Sequence, residues 1–531
     1  MRAVPKDVQP AIFTVKDVVA HLSKYALADG LMVLNRLSGW VDVRGPETGM
    51  RGAVIEPGLT VTQWDIAFIA KQLILCSNDY RAKRLSEELD RRGLRHALWL
   101  VSNMRDPVLT GDRSATREQT LNSLIRFAYQ QFRHQGWAQD GLFRTYLLYD
   151  RIGRSIPDCL DLSEAAREVY GASIVAVVSL GIVLFALAGA ETFSSFRPSA
   201  VTNMPDPRLA SLRRVLTPEV VRRLWPLVAT DYAGFRELCA KHEVDPAYAK
   251  FEWNPLEARP VILTRYPSGV CVVPSLTALL LRFTDGPYYD FIEHYDAKGN
   301  QREFTSAFGK VFEQYVGQQL RAHYDPALVL PARRYKVGRM EWEGPDWIAI
   351  EGESALLIEC RTSRLVLPGK VLANETAIAK SVDDKLLLVI THFPDKIKHI
   401  RGNPDLWPEL AAVTRFYPVV VTCDPWWPAQ PFHDVVDRAL AGQSIPPYHI
   451  ISVDTLERLL CFATRGAPIA EILQERIDRG QQGWAFGPEL DERAQLLGTL
   501  PPNRLIEAAK VQLFEAVGMG EEIDSRSVRA T

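Results

Sequence analysis

The stretch that decides the reading runs from Gly344 to Leu365, GPDWIAIEGESALLIECRTSRL. Two apolar runs, Asp346 to Ile350 and Ala355 to Thr362, flank a polar turn, Glu351 to Ser354. This pattern predicts an antiparallel hairpin. Whether the tip is Gly352-Glu353 or all four turn residues, Ile350 falls opposite Ala355. Counting back then sets Asp346 opposite Glu359. Opposed residues share a face, with Cβ atoms roughly 4.5–5.5 Å apart. Alternation puts Arg361 on the face of Glu359, and turns Ile358 and Cys360 to the other. Two facing carboxylates repel unless a cation lies between them. The face therefore reads as a site for a hard divalent cation, Mg²⁺ or Mn²⁺, of the kind that serves phosphodiester hydrolysis. The plainer reading is a surface hairpin whose Glu359–Arg361 pair is solvated.

Upstream, Thr305 to Arg321 (TSAFGKVFEQYVGQQLR) predicts a helix. Downstream, strand-like and mixed segments continue to about residue 465. Among them are short apolar strands at Val419 to Thr422 and His449 to Val453, the second followed by a helix, TLERLLCF. Taken together, Pro345-Asp346 and Glu359-Cys360-Arg361 resemble the PD-(D/E)xK motif of the restriction-endonuclease-like nuclease superfamily. The run Phe308-Gly309-Lys310-Val311-Phe312-Glu313-Gln314-Tyr315 resembles that family's first core helix, with Glu313 at its acidic position. The resemblance covers about residues 300–465 and implies an α-β-β-β-α-β core around a mixed central sheet. It implies Asp346, Glu359 and the main-chain carbonyl of Cys360 as metal ligands, with Glu313 reaching the metal directly or through water. The implied activity is Mg²⁺- or Mn²⁺-dependent endonuclease cleavage of DNA, with RNA as the other candidate polymer.

One position departs from the motif: Arg361 stands where the family usually carries lysine. Arginine stays protonated and cannot act as general base, although its planar fork can hold phosphate oxygens. A displaced lysine could take that place, and Lys380 and Lys385 are the nearest by sequence after the motif. The substitution also favours the rival reading, a catalytically inactive nuclease-like protein that binds nucleic acid or acts as a scaffold.

Other segments carry weaker signals. Arg333, Arg334, Lys336 and Arg339 form a basic cluster expected on the preceding strand and its loop, either as phosphate contacts or as a solvated edge. Lys396, Lys398, His399 and Arg401 read as a loop surface, and His392 as the end of a strand, LLLVITHF. Trp426-Trp427 reads as packing against a Pro-rich turn rather than as a base-stacking platform. Pro368-Gly369-Lys370 reads as a turn, because the upstream glycine of a phosphate loop is missing.

The rest of the chain sets the frame. Its 531 residues, 47% hydrophobic and 24% charged, suit several globular units. A net charge of −2 offers no general polyanion attraction, so a nucleic-acid surface must be local. Seven cysteines are scattered without CxxC spacing, which leaves no zinc or disulfide framework and reads as a reducing, cytoplasmic compartment. The expected architecture is multidomain α+β. A helical domain spans 1–165, a middle helical region with a small β segment 166–300, the nuclease-like domain 301–470, and a helical tail 471–531. The small β segment is expected as a hairpin with its turn near Ser268-Gly269. Ala172 to Ala190 is uncharged and just long enough to span a bilayer. Without an aromatic belt or asymmetric basic flanks it reads as a buried helix N-capped by Ser173. A large helical half joined to such a nuclease resembles effectors of bacterial phage defence or restriction, in which the other half meets a partner protein or a phage trigger. A homodimer would suit double-strand cleavage.

Overall fold

The computed structural model describes residues 13–44, 52–56, 59–76, 87–104, 116–131, 138–154, 156–189, 195–204, 207–242, 244, 248–265, 269–382, 386–426 and 429–519. The chain is mixed α+β. Twelve strands fall into four sheets among the described residues. Strands β1 (Gly52–Glu56) and β2 (Leu59–Thr62) make an N-terminal hairpin. Strand β3 (Ala229–Thr230) lies parallel to β4 (Val261–Thr264), which pairs antiparallel with β5 (Val270–Val272). The β4–β5 pair is the hairpin expected here, and Gly269 takes a positive φ of 76° in its turn. Ser268 lies outside the described residues.

The sheet that positions the site has five strands: β6 (Val329–Pro331), β9 (Trp347–Glu351), β10 (Ser354–Arg361), β11 (Arg415–Thr422) and β12 (His449–Ser452). Their spatial order is β12-β11-β10-β9-β6. The first three strands in chain order form an antiparallel meander, and β11 and β12 add parallel to β10. The helix Gln301–His323 precedes the meander and the helix Leu388–Gly402 precedes β11. Parallel neighbours need a crossover, and that second helix lies within it. Strands β7 (Arg334–Val337) and β8 (Met340–Glu343) form a separate hairpin between β6 and β9.

The β9–β10 register pairs Ile350 with Ala355 and runs to Trp347 with Ile358, as the sequence count requires. The tip is the two-residue Gly352-Glu353, with Gly352 at a φ of 61° that a side chain rarely adopts. The ladder stops one pair short of Asp346 and Glu359.

Alternation along β10 divides two cores. Leu356, Ile358 and Cys360 face the core that includes Phe308, Phe312, Val316 and Leu460, from the helices Gln301–His323 and Val453–Thr464. Ala355 and Leu357 face the opposite core, with Ile390, Phe393, Val420 and Ile450. The first core ignores the boundaries expected at 165, 300 and 470. It runs from Leu142 through Val178 and Phe291 to Leu513 and Met519, so the middle region, the sheet and the C-terminal helices fold around shared apolar surface. A further core joins Leu34, Phe68 and Val101 to Ile262 and Val272 of the small β segment.

The apolar stretch forms the helix Ile174–Gly189. Ser173 Oγ accepts the Ala176 N–H at 3.3 Å, so the N-terminal turn is capped as expected. Ile174, Val178, Val183 and Leu184 are fully buried, and Gly181 lies against Phe283. No single helix among the described residues is long and apolar enough to cross a membrane. Among the described residues, one pair, Leu162–Tyr170 and Ile174–Gly189, bent by 62°, passes that test together.

Three expectations are corrected. The LLLVITHF segment lies largely in the helix Leu388–Gly402, not in a strand, and His392 is a helical residue. A short apolar run suits either state, and here Val389, Ile390, Phe393 and Ile400 line one buried helical face. Lys396, Lys398, His399 and Arg401 consequently sit on this helix rather than on a loop. Pro368-Gly369-Lys370 lies inside a short helix, Leu367–Leu372, rather than in a turn. Proline suits that helix because it falls in the first turn, where its missing N–H is not needed.

Candidate active site

The site is built where β10 ends. Glu359 is 3% exposed, although it is a carboxylate. Its two oxygens are separately matched: Lys396 Nζ bonds to Oε1, and Arg361 Nη2 donates to Oε2 at 3.2 Å. Lys396 arrives from the helix Leu388–Gly402 and also donates to the Gly344 carbonyl at 3.0 Å. Burying a carboxylate is tolerable only with such partners. Asp346 stands just before β9, where its carbonyl accepts the Ala332 N–H at 3.0 Å. Its Oδ2 accepts the Cys360 N–H at 2.7 Å and lies 3.6 Å from Arg361 Nη1. That hydrogen bond continues the β9–β10 pairing through a side chain after the backbone ladder ends.

Arg361 closes the arrangement. Its Nη1 donates back to its neighbour's carbonyl, Cys360 O, at 2.7 Å. One guanidinium therefore touches Asp346 Oδ2, Glu359 Oε2 and Cys360 O. These belong to the three residues that the motif resemblance implies as metal ligands.

Glu313 reaches the edge of the cluster from the helix Gln301–His323. Its backbone carbonyl accepts Trp347 Nε1–H at 2.8 Å, which locks the helix to the start of β9. Gly317, one turn further on, makes this possible: a Cβ there would lie 2.1 Å from Trp347 Cζ2. Burial pushes the Glu313 carboxyl up to about 7, with the charges of Asp346 and Glu343 adding to the shift. Burial first, and then the facing Glu359, raise Asp346 to about 6, against the opposing pull of the Cys360 N–H, Arg361 and Lys396. Repulsion between these groups is thus present despite two nearby cations.

Asp346, Glu359, Arg361 and the Cys360 carbonyl, predicted from sequence, come together, with Glu313 in their field. The basic cluster divides. Arg333 is paired with Glu409 at 2.6 Å and stacked over Trp407, and Arg334 lies 3.4 Å from Glu343. Lys336 and Arg339 are exposed on the β7–β8 hairpin. That hairpin leads into Gly344 and the site. Lys380 is exposed on the helix Glu375–Val382, and Lys385 lies outside the described residues. The lysine that meets Glu359 is instead Lys396, which sequence spacing did not indicate. Its signal was the helical phase of 388–402, which sets Lys396 three residues after buried Phe393 and four before buried Ile400, on the inward side of the helix. His399 is likewise not a surface residue alone, since its Nδ1 lies 3.1 Å from the Tyr335 hydroxyl. Trp426 packs at 5.0 Å against Phe432 of the helix Ala429–Ala439, and Trp427 lies outside the described residues.

As donors for a hard divalent cation, two carboxylates and a carbonyl are the right kind of oxygen. Among the described residues, however, no group of three or more His, Cys, Asp or Glu side chains is assembled to hold a metal. The donor set fits in chemistry, and its oxygens are held by side-chain cations. Compared with known protein families, characterised proteins and solved structures, the chain shows no match.

Proposed function

We propose that this protein is a metal-dependent nuclease that hydrolyses phosphodiester bonds in DNA, built on a restriction-endonuclease-like α/β core. The observation that carries the reading is the convergence of Asp346 Oδ2, Glu359 Oε2 and the Cys360 carbonyl on one cationic group. The order helix, three-strand meander, helix, parallel strand supports it, as does the position of Glu313 on the first helix. Asp346, Glu359 and Cys360 O would hold Mg²⁺ or Mn²⁺, which supplies Lewis-acid assistance and a more acidic bound water.

The chain's own residues divide the remaining work. Lys396 supplies the ammonium that the motif lacks at 361, anchored on Glu359 and Gly344 O, and offsets negative charge gathering on the phosphate. Glu313, with its carboxyl raised to about 7, can take up and release a proton near neutrality. Arg361 presents a fork suited to two phosphate oxygens. Lys336 and Arg339, exposed on the adjoining hairpin, extend the contact to the polymer backbone. The helical half, sharing its core with the sheet, would receive the trigger of a defence or restriction effector.

A second reading is a catalytically inactive nucleic-acid-binding protein. It is favoured by the internal neutralisation of Glu359 by Lys396 and Arg361. The two are separated by incubating the full chain with plasmid, linear DNA and RNA in Mg²⁺ or Mn²⁺, beside Asp346→Ala and Glu359→Ala. Cleavage that needs metal and is lost in both variants supports the nuclease. Binding without cutting in all three proteins supports the scaffold, and overturns the enzyme.

A further inference from the structure

Resting on the nuclease reading, we propose that the Arg361 guanidinium occupies the cation position of the resting site, so that a divalent metal binds only by displacing it. Charge supports this first. Asp346 and Glu359 carry two negative charges when ionised, against two positive ones on Arg361 and Lys396, and Glu313 at the edge adds one more negative charge only when it is ionised. A divalent ion added beside both cations would leave the site strongly positive. If Arg361 leaves, one of those positive charges goes with it.

Geometry supports it next. Arg361 Nη1 lies 2.7 Å from Cys360 O and 3.6 Å from Asp346 Oδ2, and Nη2 lies 3.2 Å from Glu359 Oε2. The same planar group therefore donates to two of these oxygens and forms an ion pair with the third. The guanidinium and a metal cannot both sit on these lone pairs. Lys396 does not compete, because it approaches the other Glu359 oxygen and is anchored on Gly344 O.

Mobility separates the two cations. The Arg361 side chain is 34% exposed, against 12% for Lys396. Arg361 is the last residue of β10, where no further ladder residue follows it. Once released, it would stand beside the site with its fork free for a phosphodiester. A lysine at this position lacks the fork and holds the same oxygens through a single ammonium nitrogen. The departure from the motif thus becomes a device: the residue that holds the empty site together is the one that leaves when metal arrives.

The test measures metal binding rather than cleavage. Mn²⁺ is titrated into the full chain, stripped with chelator and then freed of it, and free Mn²⁺ is read from its aqueous electron paramagnetic resonance signal. Parent, Arg361→Gln, Arg361→Lys and the double variant Arg361→Gln/Asp346→Asn are compared. Removing the competing cation should tighten Mn²⁺ binding by about tenfold in Arg361→Gln, the scale of one or two charge-assisted hydrogen bonds. Arg361→Lys should fall between, and it serves for the comparison if the Gln variant does not fold. Adding Asp346→Asn should remove the gain. Equal dissociation constants for parent and both single variants would overturn the displacement while leaving the nuclease reading intact. Absence of Mn²⁺ binding in every protein would overturn both.

Discussion

Replacing Asp346 with asparagine tests the electrostatics of the site without any assumption about catalysis. In the metal-free protein the Asp346 carboxyl is raised from 3.8 to about 6, chiefly by burial and then by Glu359. A carboxyl whose folded value exceeds its unfolded one binds more protons when folded than when unfolded. Stability therefore declines as pH rises between the two values. The penalty is absent below about pH 4, grows across the window to about pH 6, and is complete above it. At about 1.4 kcal/mol per unit, a shift of roughly two units sets an upper bound of about 3 kcal/mol. The side chain is 20% exposed, and the variant also gives up attraction to Arg361. Asparagine can still accept the Cys360 N–H through its carbonyl oxygen. A net gain of about 1–2 kcal/mol at pH 8 is expected, which corresponds to a melting temperature higher by a few degrees. Thermal unfolding of parent and Asp346→Asn in chelator, at pH 4.5 and at pH 8, measures this. The variant should be more stable at pH 8, with the difference much reduced at pH 4.5. A variant less stable than the parent at pH 8, or a difference independent of pH, would refute the reasoning. With Mn²⁺ added, the parent alone should gain stability.

Further expectations follow from single contacts. Lys396→Met strips one cation from buried Glu359 and should cost about 3–5 kcal/mol in denaturant unfolding, with Lys396→Arg recovering part of it; a loss below about 1 kcal/mol would mean that the pair is not buried in solution. Gly181→Ala drives a Cβ to 2.8 Å from Phe283 and should destabilise the chain by about 1–3 kcal/mol, whereas a lipid-facing Gly181 would tolerate alanine freely. Glu351→Ala removes the acceptor for the Ile469 and Ala470 N–H groups, at 3.0 and 2.7 Å, and should cost about 1–2 kcal/mol through the uncapped helix Ile469–Asp478; hydrogen exchange at that helix start would show the loss locally.

What could be read from sequence was what two-residue periodicity and hairpin counting determine. The β9–β10 register and the face shared by Glu359 and Arg361 needed only a turn and a pleat. Asp346 fell on the same count, although it bonds Cys360 N through its side chain rather than through the ladder. Lys396 was not legible, because it depends on a helix that had to be told from a strand in a β-branched run, and then on how that helix crosses the sheet. Periodicity fixes which residues share a face but not which distant face they meet. The pairing of Arg333 with Glu409, 76 residues away, was hidden for the same reason.

Apolar packing runs across the positions where the sequence reading set its domain boundaries, and this bears on how the two halves are joined. Apolar surface is buried across residues 165, 300 and 470 in one shared core. Tyr149 packs at 5.5 Å from Phe308 and at 5.0 Å from Phe291, so the helix that carries Glu313 completes its own core only with residues from the helical half. The polar contacts repeat the pattern. Arg144 donates to both Glu457 oxygens, at 2.8 and 2.7 Å, and the Tyr315 hydroxyl donates to Oε1 of the same carboxylate at 2.5 Å. Tyr315 lies two residues from Glu313 on one rigid helix. Glu457 is buried, and losing Arg144 would leave its charge uncompensated, while losing Tyr315 would leave one oxygen short of a donor. A displacement of Arg144 must therefore be met by movement of Glu457, of Tyr315, or of the helix that carries Glu313. The first core helix is in this way held from both sides: by Trp347 at the site, and by Arg144 through Glu457 and Tyr315 at the helical half.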